Sequence, residues 1–295
     1  MIINFKINFD RIEGFVNLDR AFKDEIKEKI LSDLPVYKFA KKVEITSVSI
    51  GYFLNKDNSF ISIKHLVEIL KILNIKLRTA DRYIIDFKDS NSKKNYDIKF
   101  PYYFTPVDMR IVGVLVGDGN VGKKNKLLRW IQKDINPLKE LLYSKISYEV
   151  SNNYNKQLVV QQIVIPSFFG KFASSLFNLS LFELGTYKLV KRSLNLPKYY
   201  RIALLIAIIE DEGNIDPKNY SGINIRMSDR DVISNLKKLC DSLGYKTSKI
   251  IKYKNNLGSH KRNEMYKLNI LSDGIFKLGY DILEFEKKFG EKASL

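Results

Sequence analysis

The sequence predicts an α+β fold made of two related halves behind a small, mostly helical N-terminal domain. Three observations predict it. An apolar run, Met109–Val121, closes on Asp118-Gly119-Asn120-Val121, and a second, Arg201–Ile215, closes on Glu212-Gly213-Asn214-Ile215. After each run the apolar periodicity changes in the same order: helix, strand pair, helix, strand pair, helix. Ahead of both, the stretches 18–31 and 35–74 carry the i, i+4 spacing of amphipathic helices.

Taken in order, residues 1–17 alternate apolar and polar (Ile3, Phe5, Ile7, Phe9), the period of a strand. Leu18, Phe22, Ile26 and Ile30 then fall on one helical face. Ala40 lies in a short helix. Thr46 and Ser47, just after Ile45, are N-cap types for a second helix through Ile50 and Leu54. A polar break, NKDNS, precedes a third helix through Leu66, Ile69, Leu70 and Leu73. Short helix, tight turn, short helix is the spacing of a helix-turn-helix, with Ala40 allowing a close crossing. The charged cluster Lys88–Asn95 and the prolines Pro101 and Pro106 then read as a linker, with room for a hairpin of Tyr83–Phe87 and Tyr96–Phe100. The expected boundaries are 1–79, a linker over 80–105, and 106–295 as repeats 106–195 and 196–295.

In the first repeat LLRWIQ is a strand, Pro137–Ile146 a helix, Tyr148–Val150 and Leu158–Ile165 strands, and Phe168–Leu179 a helix. In the second, Gly222–Met227 is a strand and Asp231–Leu243 a helix that Gly244 ends. Thr247–Tyr253 and Met265–Ile270 are strands, and a glycine break at Gly274–Gly279 leads to a last helix. Gln162 and Lys267 both stand just before the end of the last strand of their repeat.

The chain has 295 residues, a formal net charge of +17 and a pI near 9.6, which points to a polyanionic partner. A single cysteine, Cys240, excludes an internal disulfide and a cysteine-based zinc site. Two histidines argue against a His-ligated metal or a Ser-His-Asp triad, so any metal is expected on carboxylates and water. The start, MIINFKINFDR, lacks the charged-then-apolar pattern of a signal peptide, and the run Ile202–Ile209 is too short to span a bilayer. The expectation is an intracellular, soluble protein.

The segments IVGVLVGDG (Ile111–Gly119) and LIAIIEDEG (Leu205–Gly213), with the lead-in Leu196–Arg201, resemble the paired motif of the LAGLIDADG homing endonucleases over roughly residues 106–285. The resemblance implies two αββαββα repeats related by a pseudo-two-fold axis, whose sheets form a saddle on DNA. Small residues, Gly113 and Ala207, would let the motif helices cross closely. It implies a monomer that cuts both strands of a long, weakly symmetric double-stranded target with Mg2+ or Mn2+. Asp118 and Glu212 would be the metal-binding catalytic acids, with Gly117 and Asp211 beside them in the metal set. The second motif departs by carrying Glu where Asp is usual. Lys267, and Gln162 opposite it, would assist at the phosphate. Lys123, Lys124, Lys126, Arg129, Arg226, Lys249, Lys252, Lys254, Lys261 and Arg262 fit DNA contact. The stretch FAKKVEITSVSIGYFL, followed by ISIKHLVEILKILNI, resembles lambda-repressor-like helix-turn-helix domains, with Glu44 at the turn in place of the usual glycine. That resemblance implies Thr46, Ser47, Ser49 and Tyr52 facing the groove. The alternative from another functional class is a DNA-binding transcriptional regulator on the same scaffold that does not cut.

Overall fold

The computed structural model describes residues 4–90, 95–96, 98–122, 127–132, 134, 136–146, 153–155, 160–215, 222–254 and 264–290. The chain divides into two units that meet in sequence between Phe104 and Thr105.

The N-terminal unit runs β1 (Phe5–Ile7), β2 (Gly14–Leu18), α1 (Arg20–Asp33), α2 (Val36–Lys42), α3 (Ser47–Asn55), β3 (Ile61–Ser62), α4 (Ile63–Ile72), α5 (Leu77–Asp81), β4 (Ile84–Asp89), β5 (Asn95–Tyr96) and β6 (Tyr102–Phe104). Helices supply most of its regular structure, and short strands join them. Residues 80–105 are not a linker: β4 is a central strand of the sheet β3-β2-β4-β5, and β6 pairs with β1. Charge and proline dominate that stretch locally. Its apolar residues Phe87, Tyr96, Ile98, Phe100 and Phe104 are nevertheless buried, and β4 and β6 pair with strands some 70 to 100 positions earlier.

Helices α2 and α3 meet in the tight turn that the spacing predicts. The Ile45 amide donates to the Ala40 carbonyl and the Glu44 amide to the Lys41 carbonyl, the paired bonds of a Schellman turn. Glu44 sits there with φ of 57°, the left-handed conformation that glycine adopts at no steric cost. Thr46 caps α3 as expected, its hydroxyl accepting from the Ser49 amide at 3.1 Å. The far end of α3 rests on a buried ammonium. Lys23 Nζ donates to Asn17 Oδ1 (2.7 Å), to the carbonyls of Lys56 (2.8 Å), Asp57 (3.0 Å) and Ser59 (3.3 Å), and to Ser59 Oγ (3.0 Å). Burial pulls its pKa down to about 8, while these oxygens favour the charged form. Lys23→Met should therefore strand several buried acceptors and destabilise this unit by about 1–3 kcal/mol. Urea unfolding followed by circular dichroism measures this, and an unchanged midpoint would mean the ammonium contributes nothing.

The C-terminal unit repeats one pattern. The first half is α6 (Pro106–Gly113), β7 (Gly119–Val121), β8 (Leu128–Gln132), α7 (Asn136–Ile146), β9 (Asn153–Asn155), β10 (Val160–Ile165) and α8 (Ser167–Phe177). A connector follows, with a 3-10 turn at Leu181–Gly185 and α9 (Tyr187–Ser193). The second half is α10 (Lys198–Glu212), β11 (Gly213–Ile215), β12 (Gly222–Met227), α11 (Arg230–Leu243), β13 (Ile251–Lys254), β14 (Glu264–Leu271) and α12 (Ser272–Phe289). The strand orders β7-β8-β10-β9 and β11-β12-β14-β13 are the same topology twice. The fold is thus α+β with two αββαββα repeats.

Three details differ from expectation. Strand β9 lies at Asn153–Asn155, whereas Tyr148–Val150 falls outside the described residues. Thr247 makes one isolated bridge to Ile270, and regular pairing of β13 starts only at Ile251. Helix α12 runs straight through Gly274 and Gly279. Gly274 is explained by packing, since a Cβ there would lie 2.7 Å from the Lys246 carbonyl oxygen. Among the described residues no helix is long and apolar enough to cross a membrane.

Candidate active site

The site is built on the crossing of α6 and α10. Thr105 and Asp108 form a capping box at the start of α6, with Pro106 in the first turn. Every residue of α6 is buried, as is Ile202–Ile209 of α10, so both helices are core elements. A Cβ on Gly113 would stand 2.8 Å from the Ala207 Cβ. The expected small-residue crossing is therefore present, and any larger side chain at Gly113 would push the helices apart.

The two motifs end differently. α10 stays helical to Glu212, whereas α6 stops at Gly113 and residues 114–118 form irregular turns. There the Val116 amide donates to the Gly113 carbonyl and the Gly119 amide to the Val114 carbonyl, both at 3.0 Å. Both chains then turn directly into a strand, which explains the glycine after each acid. A Cβ on Gly119 would lie 2.3 Å from Leu115 Cα, and one on Gly213 would lie 2.3 Å from the Ile209 carbonyl oxygen.

Strand register makes the acids equivalent. Gly119 pairs with Trp130 and Gly213 with Ile225, so Asp118 and Glu212 precede the same position of the two sheets. One residue further, Ile131 pairs with Gln162 and Arg226 with Lys267. Gln162 and Lys267 are therefore true counterparts.

The acids Glu210, Asp211 and Glu212 have three different fates. Glu210 is bound across the seam by Arg110, with Nη2–Oε1 at 2.5 Å and Nε–Oε2 at 3.2 Å. Asp211 is a clasp: its Oδ2 accepts from the Asp118 amide (2.5 Å), and its Oδ1 from Trp130 Nε1 (2.8 Å) and Gln132 Nε2 (2.9 Å). Glu212 has no hydrogen-bond partner among the described residues. Asp211, expected in the metal set, thus accepts from N–H donors on both oxygens. Gly117 provides clearance for it, because a Cβ there would lie 2.0 Å from Asp211 Oδ2.

Gln132 Nε2 also donates to Asp118 Oδ2 at 2.8 Å, tying the first acid to the clasp. Sequence reasoning missed Gln132 and Trp130. They lie 14 and 12 residues past Asp118, and only the turn from the motif into β7 and the pairing of β7 with β8 bring them back to the seam.

Electrostatically the three carboxyls oppose one another. Asp118 is pushed up to about 6, by desolvation first and then by the charge of Asp211. Glu212 is pushed up to about 7, by burial and then by Asp118 and Asp211. Asp211 is raised by burial, against the three N–H donors that favour its ionised form. A cavity of about 340 Å³ opens beside Asp118 and Glu212, with Arg226, Ser228 and Asp229 among its lining residues. Lys267 and Gln162 are not among them, and Arg226 is the one cation among the described residues that line it. Among the described residues no three His, Cys, Asp or Glu side chains are arranged to hold a metal ion. The carboxylates of Asp118 and Glu212 are hard oxygen donors. That suits magnesium, manganese or calcium, with further ligands supplied by water or substrate.

No protein-family model matches the chain, and no curated protein matches it. Solved structures do. A mesophilic variant of the homing endonuclease I-DmoI is 17% identical with a TM-score of 0.41, covering 61% of this chain and 96% of that one. I-DmoI in complex with DNA and Mn is 16% identical with a TM-score of 0.40, covering 60% and 96%. The N-terminal LAGLIDADG domain of DUF199/WhiA is 13% identical with a TM-score of 0.40, covering 60% and 82%.

The other expected DNA contacts are placed as follows. Arg226 and Lys267 are cross-strand neighbours, on the face of the second sheet away from buried Ile225 and Leu268. Arg129 alternates with buried Leu128 and Trp130 on the corresponding face of the first. Lys249 and Lys254 are exposed, and Lys252 is exposed but paired with Glu264 at 2.6 Å. Lys123, Lys124, Lys126, Lys261 and Arg262 lie outside the described residues. In the N-terminal unit Thr46, Ser47, Ser49 and Tyr52 are all exposed. The hydroxyls of Thr46 and Ser49 bond each other at 2.7 Å, so they serve the cap of α3 first.

Proposed function

We propose that the chain is a site-specific DNA endonuclease that hydrolyses phosphodiester bonds with a divalent ion held by Asp118 and Glu212. The observation that carries this reading is the acid pair itself. Two carboxylates stand one residue before equivalent strands, past the crossing of two core helices, with raised pKa values and beside a cavity that Arg226 lines. A bound Mg2+ or Mn2+ would relieve their repulsion, polarise a phosphate and lower the pKa of water. The chain's own residues do the rest. Asp211 and Gln132 fix the backbone and carboxylate of Asp118. Arg226, permanently charged and forked, is suited to a phosphate oxygen.

The open sheet faces support a nucleic-acid partner. They carry Asn120, Arg129 and Gln162 in one half, and Asn214, Asn224, Arg226, Lys267 and Asn269 in the other. Amides and guanidinium groups match base edges. Among the described residues Arg129 Nε, Asn224 Oδ1 and Asn269 Oδ1 are buried without a hydrogen-bond partner. The N-terminal unit adds a second contact. Its α3 would enter a major groove with Ser47, Tyr52 and Asn55 outward, while Lys38, Lys41 and Lys42 of α2 meet phosphates.

The test is incubation with a randomised double-stranded DNA library and Mg2+ or Mn2+, followed by sequencing of the new ends. Recurrent ends at one sequence are expected. Tight, selective binding without a nick in either metal would establish the regulator alternative. Affinity should also fall steeply with salt, by about 10³–10⁵ between 50 and 200 mM if six to ten phosphates are neutralised. Binding that ignores salt would remove the DNA reading altogether.

A further inference from the structure

Helix α12 carries an apolar face that the fold does not use. Phe276, Tyr280 and Leu283 are 81%, 64% and 65% exposed, at the i, i+4, i+7 spacing of one helical face. Gly279 lies on the same face, and a Cβ there would meet nothing within 4 Å. A mid-helix glycine is destabilising, and no contact within the chain calls for this one.

The first repeat is an internal control. Ile163 and Leu268 both follow the Gln162/Lys267 pair, and α8 and α12 both begin four residues after them. Phe276, Gly279 and Tyr280 therefore match Lys171, Ser174 and Ser175 of α8, and Leu283 matches Asn178, the left-handed cap just past its end. The same face is polar in one half and apolar in the other, so the fold does not require the apolar version. Large exposed apolar faces of this kind mark interaction sites.

The face is also complementary to itself. Knobs (Phe276, Tyr280, Leu283) and a notch (Gly279) lie together, as an isologous two-fold contact requires. Asp273 stands seven residues before Tyr280 and Lys287 seven after it, both on this face and both exposed. Antiparallel pairing would set each Tyr280 over the other copy's Gly279 and oppose each Asp273 to a Lys287. Among the described residues Asp273 pairs with solvent-exposed Lys246, at 2.9 Å, a contact of low cost to exchange.

We infer that a second copy of this chain docks here, α12 against α12 in antiparallel fashion, giving a two-fold dimer. The dimer is independent of the DNA reading, since neither the acid pair nor the open sheet faces take part. The contact is small, so dissociation is expected at about 1–100 μM. Sedimentation equilibrium of the DNA-free full chain over that range should show the mass climbing from 34.3 kDa toward twice that value. Leu283→Lys and Phe276→Lys, both at exposed positions, should each hold it at the monomer mass with an unchanged circular dichroism spectrum. Asp273→Lys should weaken association at least tenfold, and adding Lys287→Asp should restore it. A wild type that stays monomeric at 200 μM would overturn the inference. So would a dimer that tolerates both lysine substitutions, or a charge exchange that restores nothing.

Discussion

Asp118→Asn will abolish cleavage, by at least about 10³-fold, while leaving DNA affinity nearly unchanged. The amide keeps an oxygen for the Gln132 hydrogen bond and leaves the Asp118 main-chain contact to Asp211 intact, so the turn should survive. What would disappear is one of the two charges proposed to hold the cation. The same substitution makes a prediction that needs no DNA. Asp118 and Glu212 titrate near 6 and 7 in the folded chain, above their ordinary values of 3.8 and 4.5. A raised pKa means that the folded state holds the proton more tightly than the unfolded one. The associated stability is therefore fully present below about pH 4 and is lost as pH rises through 6 to 7. At pH 8 both groups are ionised and repel. Asp118→Asn with Glu212→Gln should then melt higher than the wild type at pH 8, by about 2–4 °C for each kcal/mol relieved. The two proteins should converge below about pH 4. Millimolar Mg2+ should raise the wild-type Tm at pH 8 and leave the double variant unmoved, because binding needs the carboxylates deprotonated. A double variant no more stable than wild type at pH 8, or equal metal stabilisation of both, would sink the acid-pair assignment.

Much of this site is legible in sequence because its signals are local. The acid–Gly step reports a chain that turns from helix to strand with no room for a Cβ, and it does so within five residues. The repeat of periodicities is likewise a short-range pattern, and it located both halves. The misses are long-range. Residues 80–105 read as a linker because Lys88–Asn95 and Pro101 are local breakers. The partners of β4 and β6 lie in β2 and β1, far back in the chain. The glycines of α12 read as a break, but Gly274 answers a tertiary approach of Lys246. Gln132 carries no motif and acquires its place only through the turn and the pairing of β7 with β8. The three consecutive acids could not be told apart along the chain, because what separates them is which donors the other helix and the first sheet present.

That separation gives the second large effect. Arg110 and Glu210 join α6 to α10 through a forked contact, with side chains only 3% and 15% exposed. Removing one member of a buried ion pair leaves a desolvated charge, which costs about 3–5 kcal/mol. Arg110→Met should thus destabilise the C-terminal unit by that amount in urea unfolding. The pair also sits beside Asp211 and Glu212 in the chain, whose own pKa values are raised by burial. Arg110→Met combined with Glu210→Met should recover most of the loss, because two apolar side chains can fill the seam that the pair now occupies. If Arg110→Met costs less than about 1 kcal/mol, the pair is effectively solvated and does not hold the helices in register. If the double variant folds stably but leaves Asp118 and Glu212 with ordinary pKa values, the pair's function is positional. Its value would then lie in the alignment of two helices that brings the two acids to one end of the seam.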